Sequence, residues 1–153
     1  MSRLALLLSS VLVLAGCSAH FQASTAPGFV VVDESGSAYD WRAVAPDGVV
    51  VAVRVVKLDD GADLPFWAHA VSLRMRDEEG YALVSSADVR ARDGTAGKEL
   101  VFGHDESGKS FVYRVRLYLV DRRLTVVEAG GTGEQMARYA ASVDWMLSAV
   151  RLT

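Results

Sequence analysis

From residue 81 onward the chain is cut by short polar turns into four runs of strand-forming residues, and this spacing constrains the fold more than any other feature. The runs at 81–92, 98–104, 110–121 and 124–129 are separated by Asp93-Gly94-Thr95-Ala96-Gly97, by Asp105-Glu106-Ser107-Gly108-Lys109 and by Arg122-Arg123. Connections this short make hairpins and not crossovers, because a parallel pair needs a long return segment. The four strands are therefore expected to lie antiparallel. In the longest, Phe111, Tyr113, Val115, Leu117 and Leu119 alternate with Ser110, Val112, Arg114, Arg116, Tyr118 and Val120, so one face is core and the other mixed.

A further hairpin lies upstream, where Pro46-Asp47-Gly48 joins Ala43-Val44-Ala45 to a run at 49–57. Pro presets φ for such a turn and Gly accepts a positive φ. Val49, Val51, Val53 and Val55 share one face of that run, and Val50, Ala52, Arg54 and Val56 the other. Both faces are mostly apolar, as expected of a central strand covered on both sides. Phe29-Val30-Val31-Val32 supplies one more candidate strand.

Two helices are expected. Acids at Asp59, Asp60 and Asp63 precede Leu64-Pro65-Phe66-Trp67, an arrangement that suits a helix amino end. This helix should cover 64–76, with Phe66, Trp67, Ala70, Val71 and Leu73 inward and His69, Ser72 and Arg76 toward water. The second should cover 134–151, with a capping box between Thr132 and Gln135. Its apolar arc is Met136, Tyr139, Ala140, Val143, Met146, Leu147 and Val150. Segregated strands and helices give an α+β fold, an antiparallel sheet of about six strands packed with two main helices, and not a βαβ nucleotide fold.

Residues 1–16 stand apart from that fold. Met1-Ser2-Arg3 is a short basic start, and the apolar run over 4–15 is too short to span a bilayer as a mature helix. The run ends in Leu14-Ala15-Gly16-Cys17, which resembles the lipobox of bacterial lipoproteins: an aliphatic residue, two small residues, then cysteine. The resemblance implies that Cys17 carries a thioether-linked diacylglycerol, that the leader is cut before it, and that the new amino end is acylated. Two or three such chains make a stable anchor where one holds only marginally. The protein would then sit in the bacterial cell envelope, on the outer or inner membrane, with its domain outside the cytoplasm. Cys17 is the only cysteine, so once acylated it leaves no thiol for a disulfide, a nucleophile or a zinc site. Residues 17–28 are expected to be a flexible tether and 29–153 a single domain.

The domain resembles the PsbP-like fold, shared by the photosystem protein PsbP and by bacterial lipoproteins of the LpqN and DcrB type. The features that carry the resemblance are the hairpin from Tyr39-Asp40-Trp41 to Pro46-Asp47-Gly48, the Leu64-Pro65-Phe66-Trp67 helix, the Arg92-Asp93-Gly94-Thr95 turn, Val127-Glu128-Ala129 and the final helix. The resemblance implies binding or assembly accessories and no single chemistry, and fold analogy alone does not supply a function.

The inventory for chemistry is thin. Sixteen Lys and Arg against nineteen Asp and Glu leave a net charge of −3, which gives no basic excess for a nucleic-acid partner. The histidines are His20, His69 and His104. His104-Asp105-Glu106 with His69 could hold a divalent metal, yet the spacing lacks any paired-ligand motif and a solvated turn explains it. Gly130-Gly131-Thr132-Gly133 lacks the Lys-Ser/Thr of a phosphate loop, and Ser85-Ser86 lacks a nucleophile elbow. Neither a cofactor nor a metal is expected. Arg54, Arg90, Arg114 and Arg116 would form a basic stripe if register brings them together, or else pair with acids such as Asp88 and Glu128. Trp145 lies about 160° from the centre of the final helix's apolar arc and so marks a possible contact surface. The reading is a non-enzymatic, membrane-tethered module binding an envelope protein or ligand, with Trp145, Arg54, Arg114 and Arg116 as candidate partner-binding residues. Its alternatives are a small envelope hydrolase using His104 and nearby acids, and a purely structural lipoprotein.

Overall fold

A computed structural model describes residues 20–33, 36–59 and 61–153; the leader and Cys17 lie outside the described residues. The elements in chain order are β1 (Phe21–Gln22), β2 (Val30–Val31), β3 (Trp41–Val44), β4 (Val50–Lys57), α1 (Leu64–Asp77), β5 (Ala82–Arg90), β6 (Ala96–Glu106), β7 (Lys109–Val120), β8 (Arg123–Thr132), α2 (Gly133–Arg138), α3 (Ala140–Ala149) and β9 (Arg151–Leu152). Seven strands make one antiparallel sheet in the order β2-β3-β4-β8-β7-β6-β5. The turns between β5 and β8 close as hairpins, and β8 then pairs along the whole of β4, Val53 opposite Val127 and Lys57 opposite Arg123. This is the expected α+β architecture, one strand larger than expected through the short edge strand β2.

Register assigns the two faces, since residues opposite each other in a ladder share a face. Val53 stands opposite Val127, which stands opposite Arg116; Arg54 stands opposite Val126, which stands opposite Leu117. On the first face Val51, Val53, Val127 and Ala129 pack with Met136, Val143, Met146 and Leu147 of α2 and α3. On the second, Leu100, Phe102, Val115, Leu117 and Val126 pack with Ala68 of α1, with Trp67, Val71 and Met75 partly buried against them. Fully buried side chains of this size each stabilise the fold by about 1.5–3 kcal/mol. β4 is central as expected, but its second face is covered unevenly: Ala52 is buried while Val56 is 42% exposed.

Three expectations are corrected. In α1 the inward stripe is Leu64, Trp67, Ala68, Val71 and Met75, whereas Phe66 and Leu73 face outward. Small Ala68 lets the helix approach the sheet and so sets its rotation, which a broad apolar arc left open. The Asp63 carboxylate caps α1 by accepting from the Phe66 N–H at 2.9 Å. The final helix is broken at Tyr139 (φ −98°, ψ 13°) into α2 and α3, and ends at Ala149 because Val150 turns extended and Arg151–Leu152 becomes a strand. Its capping box forms as expected: Thr132 N–H donates to Gln135 Oε1 at 2.9 Å and Gln135 N–H to Thr132 Oγ1 at 3.3 Å. Finally, the tether is docked from Phe21 onward. Phe21 pairs with Leu152 and Gln22 with Arg151, and Phe21 and Ala26 are buried in the first core. A two-residue pairing between the ends of the chain has no periodicity of its own to reveal it.

Candidate functional site

Where α1 crosses the second face of the sheet it leaves a partly open cleft of about 540 Å³, within the range of small-molecule sites. Its walls come from α1 (Trp67, Ala70, Val71, Arg74 and Met75) and from β4, β7 and β8 (Val56, Val115, Leu124 and Val126). Val56, 42% exposed, belongs to the open part of this lining.

The floor is polar. Glu128 projects from β8 on this face, 8% exposed, and accepts from the Tyr113 hydroxyl at 2.7 Å. The Tyr39 hydroxyl also hydrogen-bonds to Glu128, and Arg54 Nη2 lies 3.7 Å from Glu128 Oε2. A buried carboxylate is tolerable only when paired in this way. Burial, and then the charge of Glu128, hold the Tyr113 phenol well above its ordinary pKa, and burial followed by the Glu128 hydrogen bond raises Tyr39. Both phenols therefore stay protonated donors. Tyr39, Tyr113 and Glu128 also border a second hollow of about 340 Å³, lined further by Arg42, Tyr81, Phe111 and the backbone of Gly130 and Gly131. The lining of the cleft beneath α1 is completed by the exposed side chains Arg74 and Glu79 and contains no serine, cysteine, histidine or lysine.

Of the arginines singled out in the sequence, only Arg54 lies in the cleft. Arg114 and Arg116 are on the opposite face, so the proposed stripe does not form: the sheet itself separates them from Arg54. Arg116 Nε donates to Glu99 at 2.6 Å, and Arg114 bridges Glu99 at 3.1 Å and Asp144 of α3 at 2.5 Å. Arg90 donates to the Gly94 carbonyl at 2.9 Å, and Asp88 is taken by Lys98 at 2.7 Å. Trp145 stands on the outer side of α3, 50% exposed. His104 Nδ1 is 2.8 Å from the Gly80 carbonyl and its ring tilts against Tyr81 at 5.0 Å; His69 is exposed on α1, and Asp105 and Glu106 are exposed at the β6–β7 hairpin. Ser85 and Ser86 are exposed on the edge strand β5. Tyr39, Trp67, Tyr113 and Glu128 were not foreseen as one site. The available signal was Glu128, a lone acid inside the apolar run 124–129.

No family model and no curated protein matches the chain. Solved structures do. LpqN, involved in cell envelope biogenesis of Mycobacterium tuberculosis, is 11% identical, with 87% of this chain and 83% of LpqN covered at a TM-score of 0.73. The Ran-binding protein Mog1p of Saccharomyces cerevisiae is 13% identical over 87% of this chain and 90% of its own, TM-score 0.60. Cyanobacterial PsbP from Synechocystis is 12% identical over 91% and 96%, TM-score 0.57. At such identities the likeness is one of fold, and it is the PsbP-like fold that the hairpins and turns resemble. Among the described residues no helix is long and apolar enough to cross a membrane.

Proposed function

We propose that this chain is a lipid-anchored protein of the bacterial cell envelope that works by binding rather than by catalysis, and that the cleft beneath α1 is its binding site. The observation that carries the reading is the cleft itself: largely apolar walls over a floor of Glu128, Tyr113, Tyr39 and Arg54 that are engaged with one another, with no serine, cysteine, histidine or lysine in the lining. The Leu14-Ala15-Gly16-Cys17 sequence supports the anchor, and the likeness to LpqN supports a place in the envelope. Trp145, half-exposed on the face away from the cleft, supports a separate contact with a protein partner above Arg114 and Arg116. The hydrolase alternative draws little support from His104, which is engaged by the Gly80 carbonyl and the Tyr81 ring.

Mass spectrometry of the protein taken from its own membranes tests both parts. The amino-terminal peptide should begin at an acylated Cys17, and Cys17→Ser should remove the acylation. Native spectra should show a retained small molecule that Ala70→Trp, which fills the cleft, displaces. Unmodified Cys17 in the mature protein would overturn the anchor; equal retention by Ala70→Trp would overturn the site.

A further inference from the structure

The class of molecule the cleft accepts follows from which hydrogen-bonding groups around it are already spent. The Glu128 carboxylate is occupied by Tyr113, Tyr39 and Arg54. Two buried side-chain atoms of the lining have no partner, Arg54 Nε and Trp67 Nε1, and both are donors only. No buried side-chain acceptor of the lining is left open; the Glu79 carboxylate and the Arg74 guanidinium also line the cleft, but both residues are exposed to water. A sugar or a peptide backbone brings donors as well as acceptors and would strand any donor it placed among the buried side chains. The complement of two buried donors beside apolar Val56, Val71, Met75 and Val126 is an apolar chain that ends in an acceptor.

We propose that the cleft receives an acyl chain whose carboxylate or ester carbonyl accepts hydrogen bonds from Arg54 Nε and Trp67 Nε1, an inference that rests on the cleft being the binding site. Both N–H groups are shielded from water as α1 lies, so the ligand's head reaches them when α1 lifts from the sheet. The helix is lightly held, with Ala68 its one buried residue of fourteen. Leaving two buried donors unsatisfied disfavours the closed arrangement. A ligand that supplies acceptors to them removes that penalty, which gives it the differential affinity needed to shift the helix.

Photo-crosslinking in membranes carrying the full-length chain tests this, with three diazirine probes of one chain length: a palmitate, its methyl ester and a hexadecane. The palmitate should label peptides containing Val71 or Val126, and unlabelled palmitate should compete. Trp67→Phe keeps the aromatic body and loses the N–H, so it should weaken labelling roughly three- to tenfold. Equal labelling by the ester would identify an esterified acyl group as sufficient, and labelling by the acid alone would identify the free carboxylate; both support the proposal. Hexadecane labelling as strong as palmitate's overturns it, and this comparison on the unmodified chain needs no variant to fold. Absence of label from the cleft, while Ala70→Trp still displaces a retained molecule, overturns the acyl assignment and leaves the binding site standing. Retention by Ala70→Trp removes the site itself.

Discussion

Glu128 and Gly97 show how much single positions depend on what the sheet brings beside them. As sequence, Gly97 belongs to a turn between strands; in the structure it lies within β6, opposite Tyr118 of β7. A Cβ there would lie 2.5 Å from Tyr118 Cδ1, in still closer contact with Cε1, and 2.7 Å from the Leu117 carbonyl oxygen. The ring cannot swing away, because Tyr118 is fully buried, and the carbonyl belongs to the ladder. Gly97→Ala should therefore destabilise the protein by about 1–3 kcal/mol, read as a lower denaturant midpoint with unchanged slope. A midpoint equal to that of the unmodified protein would mean that β6 and β7 stand further apart than described. Glu128 is legible as an oddity in an apolar run, but its meaning needs three residues distant in sequence, Tyr39, Arg54 and Tyr113.

Elements divide into those that local pattern dictates and those whose placement is negotiated. β7 and β8 were readable from alternation and turn length because a hairpin is a local object. α1 was readable as a helix from Asp63 and Pro65, but not in its rotation, since Leu64, Trp67, Ala68, Val71 and Met75 compete with Phe66 and Leu73 for the sheet. The outcome is a helix with one buried residue, Ala68, still 7% exposed, against strands whose central residues Val53, Leu117 and Val127 have no exposure. Local opening costs least where few apolar contacts are lost. Amides of α1 should accordingly exchange with deuterium well before those of β7 and β8, by about tenfold for each 1.4 kcal/mol separating the two opening energies. Equal protection of α1 and the central strands would mean that the helix is part of the rigid core, and the cleft could not widen as proposed.

The whole molecule is a sheet with two unlike faces, and its titration behaviour follows from that. Tyr113 is held above its ordinary pKa by burial and by Glu128, and Tyr118 by burial. The unfolded chain releases these protons near pH 10 while the folded one keeps them, so above that pH the folded state binds more protons and loses stability as pH rises. The melting temperature should therefore hold between pH 7 and about 9 and fall beyond about 10, each retained phenol contributing about 1.4 kcal/mol per pH unit. Tyr113→Phe should lower stability at neutral pH, because Glu128 loses a donor, and flatten the alkaline fall; an alkaline slope identical to the unmodified protein's would show that Tyr113 titrates normally. By itself the sequence determined the antiparallel hairpins, the two helical segments, the capping box at Thr132 and Gln135, and the PsbP-like order of elements. All of these rest on interactions between residues close along the chain. Only the tertiary structure decided that Arg54 and Arg116 lie on opposite faces, that Phe21 returns to pair with Leu152, and that Trp67 and Glu128 line one cleft. Such contacts join segments far apart in the chain, where pairing register and helix rotation are set by packing and leave no periodic trace in either segment.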